Sequence, residues 1–157
     1  MSANKPIKRD PNLNFLSHEH HHGLVFCVRL KKANQVGEKT VQSFVKSFWQ
    51  DHLKEHFILE EELLLPIIKD STIQNQFKNE HESIRILIND ILYSTKEIYD
   101  NAILLSSLIK NHIRFEERIM FPHIETVNSK EVLSEIGQLM NDKEAELHIF
   151  QPEFWTN

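Results

Sequence analysis

Apolar positions along the chain recur mostly at spacings of three and four, which is the stripe of a helix with one buried face. The first stripe opens at Ser17, a residue suited to an N-cap, and runs through Leu24, Cys27, Val28 and Leu30 to a stop at Asn34 and Gly37. The second begins near Glu38 or Thr40 and passes Val41, Phe44, Val45, Phe48, Trp49, Leu53, Leu59, Leu63 and Ile67 to end near Asp70. Pro66 lies in its last turn and is placed to kink it. The third spans about Thr72 to Thr95 through Phe77, Ile84, Leu87, Ile88 and Ile91. The fourth spans about Ile98 to Phe121 through Leu105, Leu108, Ile109, Phe115 and Ile119. A shorter fifth, about Lys130 to Glu146, puts Val132, Leu133, Ile136, Leu139 and Met140 on one stripe. No period-two alternation is long enough for a strand.

These elements predict an all-α fold. Short connections favour antiparallel neighbours, hence an up-down-up-down four-helix bundle with a short fifth C-terminal helix. The 157 residues suit one domain: a flexible arm over 1–14, a bundle over 15–124, and a C-terminal helix and tail over 128–157. Phe150, Phe154 and Trp155 in the tail are expected to cover an end or flank of the bundle.

A net charge of −5 offers no general basic field for nucleic acid, and no apolar run approaches the roughly 20 residues that cross a bilayer. The first residues do not read as a secretory signal, and Cys27 is the single cysteine, so a reducing cytoplasm is expected. Ten histidines change the picture more than any of this. Four of them, His18, His20, His21 and His22, fall together with Glu19 at the head of the first apolar stripe, inside the chain rather than at its end.

A pattern also occurs twice. His56-Phe57-Ile58-Leu59-Glu60-Glu61 leads to Pro66, and His112-Ile113-Arg114-Phe115-Glu116-Glu117 leads to Pro122. Residues four apart lie on one helix face, so each copy presents an imidazole beside a carboxylate. One such pair is ordinarily a surface ion pair. Two, among apolar neighbours such as Leu59 and Phe115, point to burial, where an unpaired carboxylate is costly.

Helices one and three carry an echo, Glu19-His20 and Glu80-His81. If His20, His56, His81 and His112 share one level of an antiparallel bundle, the chain must reverse about halfway between successive members. The midpoints fall near Glu38, Ile68/Lys69 and Lys96/Glu97, and all three coincide with expected turns. The six residues His20, His56, Glu60, His81, His112 and Glu116 then form a cage of nitrogen and oxygen donors suited to iron, manganese or zinc. Glu60 and Glu116 would bridge two ions. Water, hydroxide or a small diatomic ligand such as dioxygen or nitric oxide would fill the rest.

Near-neighbours compete for some of these positions. His21 rivals His20, but His20 shares a face with Leu24 and Cys27. His52 stands one turn before His56 as a further ligand or a supporting group. Glu61 and Glu117 suit solvent or a supporting role, and Glu19 and Glu80 are candidates to hold the second nitrogen of a ligand histidine.

Glu19-His20, His56-x3-Glu60-Glu61, Glu80-His81 and His112-x3-Glu116-Glu117 together resemble the hemerythrin-like (HHE cation-binding) family over roughly Ser17 to Pro122. The resemblance implies a four-helix bundle around a non-haem di-iron centre, with ligand roles for His20, His56, Glu60, His81, His112 and Glu116. The oxygen-carrying hemerythrins have a second histidine one turn after the one on helix three. Here that position is Arg85, so the resemblance is better to the broader group, for which sensing, iron handling and responses to nitric oxide are suggested. Rival expectations are an oxidase or peroxide-consuming enzyme, for which no motif supplies electrons, and a zinc or mononuclear structural site.

Overall fold

The computed structural model describes residues 8–94, 96–141 and 150–156, and among them the secondary structure is entirely helical. The helices are α1 (Asn14–Leu30), α2 (Glu38–Phe48), α3 (Lys54–Leu63), α4 (Ser71–Tyr93), α5 (Ile98–Phe115), α6 (Phe121–Val127) and α7 (Lys130–Asn141). A π-turn, Trp49–Leu53, joins α2 to α3 without a break, and another, Glu116–Met120, joins α5 to α6. Five helical rods result, four of them long.

The connections fall where the histidine spacing requires. Gly37 is the N-cap of α2, Asp70 caps α4 by accepting from the Ile73 amide at 3.0 Å, and Glu97, at φ 55°, precedes α5. Helix ends differ in detail from expectation. The first helix begins at Asn14 rather than Ser17, because Asp10 caps a 3₁₀ turn, Pro11–Leu13, that leads straight into it. Residues 8–14, expected as arm, are thus packed, with Leu13 fully buried; residues 1–7 lie outside the described residues, as do Thr95 and the expected end of the fifth helix at Glu146.

The two matching prolines meet different fates. Leu63 ends α3, and Pro66 sits in a separate 3₁₀ turn, Leu65–Ile67, since its ring and missing N–H oppose continuation. Pro122 instead lies in the first turn of α6, and the fourth rod runs on to Val127 rather than stopping at Phe121. The π-turn before it shifts the bonding, with the Phe121 amide donating to the Glu116 carbonyl five residues back. That widened turn accommodates a residue with no amide to donate.

Two apolar clusters lie on either side of a polar layer. One gathers Phe26, Leu30, Phe44, Phe57, Ile84, Ile91 and Leu105, and it includes Phe154 of the tail, whose ring meets Phe44 edge-on at 4.9 Å. The tail therefore covers a flank, as expected. The other gathers Leu13, Leu16, Leu59, Phe77, Phe115, Phe121, Ile136 and Met140. Four stripe members face outward instead: Leu24, Val28, Ile119 and Leu139 are exposed. The inner line of α1 is Leu16, His20, Gly23, Cys27 and Leu30. Gly23 lets α1 approach α5 closely there, since a Cβ would stand 2.9 Å from the Cδ1 end of the Ile113 side chain.

Candidate metal centre

The polar layer consists of His20, His56, Glu60, His81, His112 and Glu116, all buried. His20 comes from α1, His56 and Glu60 from α3, His81 from α4 and His112 from α5, while Glu116 opens the π-turn after α5. His81 is held between the two apolar clusters, its ring 3.8 Å from that of Phe57 and 4.1 Å from that of Phe77. The i, i+4 pairs of the doubled motif are in place: His56 Nε2 lies 3.2 Å from Glu60 Oε1, and His112 Nε2 lies 3.4 Å from Glu116 Oε2.

The six residues form two overlapping groups. In the first, His20, His56, Glu60 and Glu116 each bring one donor atom within 4.8 Å of the others; in the second, Glu60, His81, His112 and Glu116 do the same. Both glutamates belong to both groups. Both oxygens of Glu60, with His56 Nδ1, His81 Nε2, His112 Nε2 and Glu116 Oε2, are buried without a hydrogen-bond partner. A buried polar atom left unmade costs about 1–3 kcal/mol. So many unpartnered atoms in one buried layer, all of donor types that bind borderline and hard cations, fit a metal site.

Around this layer stands a ring of carboxylates. His20 Nδ1 donates to Glu117 Oε1 at 2.9 Å, His81 Nδ1 to Glu61 Oε2 at 2.6 Å, and His112 Nδ1 to Glu80 Oε1 at 2.8 Å. Consecutive helical residues are rotated by about 100°, so Glu60 points into the layer while Glu61 reaches α4. Glu116 and Glu117 divide the same way between the layer and α1. Of the carboxylates expected beside ligand histidines, Glu80 serves His112. Glu19 does not reach a histidine of the layer; its Oε2 lies 3.1 Å from Nδ1 of His52.

Arginines hold two of these carboxylates. Arg85 pairs with Glu61 at 2.8 Å and lies 5.3 Å over the Phe57 ring, which stacks on His81. Arg9 pairs with Glu117 at 3.1 Å and lies 4.9 Å over the Phe121 ring, which stacks on His20. Neither the Arg9 contact nor the Phe121 stack is expected from the sequence. Arg85 is singled out there only as a departure, whereas in the fold it neutralises the carboxylate behind His81.

Protons occupy the metal-free layer. Burial disfavours charge on both glutamates, and Glu60, facing Glu116 as well, is pushed up to about 8. Burial also opposes charge on Glu116, but His112 and His20 outweigh it and hold that carboxyl well below the usual range. His112 is raised to about 10, against the effect of burial, by Glu116 and Glu80, and His20 to about 9, also against burial, by hydrogen bonds to Glu116 and Glu117. His56 is lowered to about 4 by burial and by the charge of His20.

Of the two rivals on α1, His20 is buried among the donors of the layer and His21 is exposed. Ile119, a member of the fourth stripe, is exposed, whereas Phe115 beside the second pair is buried. A cavity of about 10 Å³, room for one water-sized molecule, opens beside the layer. His20, His56, His112 and Glu116 of the layer line it together with Glu19 and His52, and Gly23, Leu53, Phe57, Ile84, Ile109 and Ile113 supply its apolar part.

Fold and site together define a helical-bundle protein with a buried histidine–carboxylate cation site. The model of the hemerythrin HHE cation binding domain matches residues 12–124, most of the chain, and the protein belongs to that family. Comparisons with curated proteins and with solved structures gave no match. Among the described residues, no helix is long and apolar enough to cross a membrane.

Proposed function

We propose that the protein holds two non-haem irons bridged by Glu60 and Glu116, and that it binds or senses a small diatomic ligand there. The observation that carries this reading is that the two four-residue groups share both glutamates. A single ion would need one group, whereas a shared pair of carboxylates is what two adjacent ions require. His20 and His56 would serve one ion, and His81 and His112 the other. Such a pair supplies redox-active, oxygen-affine coordination with positions left open by a six-residue set. The small cavity beside His20 and His56 suits a diatomic ligand by its size, and half of its lining, Gly23, Leu53, Phe57, Ile84, Ile109 and Ile113, is apolar.

The up-down-up-down order is part of this reading, because it returns α1, α3, α4 and α5 to one level at residues spaced by nearly equal lengths of chain. So is a reducing cytoplasm, for which the free, buried Cys27 speaks. The carboxylates behind the histidines fix ring orientation and raise ligand basicity. The test is elemental analysis of freshly purified protein with optical spectra under argon, oxygen and nitric oxide. Two irons per chain, with bands that respond to either gas, are expected. Absence of iron after anaerobic reconstitution would sink the reading, and tightly held zinc alone would replace it with a structural site.

A further inference from the structure

His18, His21, His22 and His52 stand outside the six-residue layer, yet their rings run from solvent toward it in short steps. His18 and His22, four residues apart on α1, have ring centroids 5.2 Å apart at 85°. His22 is 5.8 Å from His52, at 80°, and His52 is 6.1 Å from His56 in the buried layer. His18 is exposed, His22 half-buried, the His52 side chain 11 % exposed and that of His56 5 % exposed, so the series is also a gradient of burial. Two imidazoles on one tetrahedral ion, with metal–nitrogen distances of about 2.0–2.1 Å, hold their centroids roughly 5–6 Å apart. The first two steps match that spacing.

Glu19 adds a second, independent observation. Its Oε2 lies 3.1 Å from His52 Nδ1. Like Glu117, Glu61 and Glu80 beside His20, His81 and His112, Glu19 sets a carboxylate near the Nδ1 of a histidine, here at ion-pair distance rather than in a hydrogen bond. His52 lies outside both donor groups. It is carried by the π-turn Trp49–Leu53, and its ring stands between those of His22 on α1 and His56.

We propose that the His18–His22 pair forms a second, solvent-facing site that takes a borderline divalent cation such as ferrous iron, and that His52, beside Glu19, passes it on to His56. The passage inward rests on the buried cage described above; the surface site does not. Imidazoles without an inward-facing carboxylate make it the weaker of the two sites, as a point of entry must be if the ion is to leave it. His18, exposed on α1, can turn onto an ion shared with His22, and His52 gives that ion its next ligand.

The test uses the full metal-free chain. Calorimetric titration with Co²⁺ should show tight equivalents at the cage and one weaker equivalent, and the H18A/H22A variant should lose only the weaker one. Both residues lie on the outer side of α1, so the fold should survive, which circular dichroism checks. Anaerobic stopped-flow mixing with Fe²⁺ should then show several-fold slower loading in H18A/H22A and the same final iron content. An unchanged weak equivalent, or an unchanged loading rate, overturns the proposal. Failure of the cage reads differently: the tight equivalents are then missing from the wild type while the weak one persists, which removes the passage inward.

Discussion

His81 donates from Nδ1 to Glu61 at 2.6 Å, and Glu61 is itself paired with Arg85 on the same helix as His81. An arginine, a glutamate and a histidine thus stand in line, with Nε2 of the histidine aimed into the buried layer. Arg9, Glu117 and His20 repeat the series from the other side of the bundle. In each, the arginine also lies over a phenylalanine that stacks on the histidine, so ring position is set by packing and ring orientation by charge. The second glutamate of each doubled motif is therefore a part of the site that works through a histidine on a neighbouring helix.

Replacing Glu61 with Gln should weaken metal binding by about 10–100-fold, the usual cost of removing the partner of a ligand histidine. Arg85→Ala should cost less, because Glu61 would still hold His81. The check is competition against a chromogenic chelator. Equal losses in the two variants would show that Arg85 contributes as much as the carboxylate.

Glu60→Ala and Glu116→Ala should each lose metal, and with it the rise in melting temperature on metal addition. A ligand at a hundred times its Kd stabilises the folded state by about 2.7 kcal/mol, and that increment should vanish. The metal-free variants are the control: removing Glu60, both of whose oxygens are buried without a partner, need not lower stability, whereas Glu116→Ala also takes away the partner of His20 Nε2. Unchanged metal content in both variants would refute bridging.

His20→Ala should deplete the metal, while His21→Ala should leave it near wild-type content. His21 is exposed and His20 is buried against Glu116 at 2.8 Å. The reverse ranking, read by elemental analysis, would move the α1 donor by one residue.

The metal-free protein should lose stability as pH rises from about 6.5 through 9. His20 and His112 have folded values raised to about 9 and about 10. Their contribution is complete below the unfolded value and lost as pH climbs through the folded one. Glu60, raised to about 8, acts in the same direction, because its folded form keeps a proton that the unfolded form releases. A cation must displace these protons, so loading near neutral pH should acidify a weakly buffered solution, and affinity should increase with pH. Melting curves with and without metal test the sign: the metal-free curve should fall across this window and the loaded one should not follow it.

Gly23→Ala should change stability by no more than about 1 kcal/mol, since the helix propensity gained offsets the crowding of a flexible Ile113 end. The added methyl would narrow the cavity that Gly23 lines, and nitric oxide should bind more slowly to the loaded protein. Stopped-flow rates unchanged from the wild type would show that ligands reach the layer by another route.

Periodicity along the chain was enough for the rods, their connections and the six inward donors, because each depends on residues a few positions apart. The prolines show where local reasoning ends. Pro66 and Pro122 occupy the same place in the same motif, yet one follows a finished helix and the other sits inside a rod that a π-turn allows to continue. Spacing carries no sign of that difference, since it depends on which neighbours each rod must reach.

The chain's own order of residues settled a helical bundle and the doubled His–Glu pairs at its centre: a helix repeats every 3.6 residues, and a pair at i and i+4 has no choice of face. Folding in three dimensions settled which carboxylate serves which histidine. Glu61 meets α4, Glu117 meets α1, Glu19 turns to His52, and Arg9 is drawn in from a segment that reads as an arm. These are contacts between side chains up to 108 residues apart, and they follow from how rods abut and where rings pack, which no local spacing encodes.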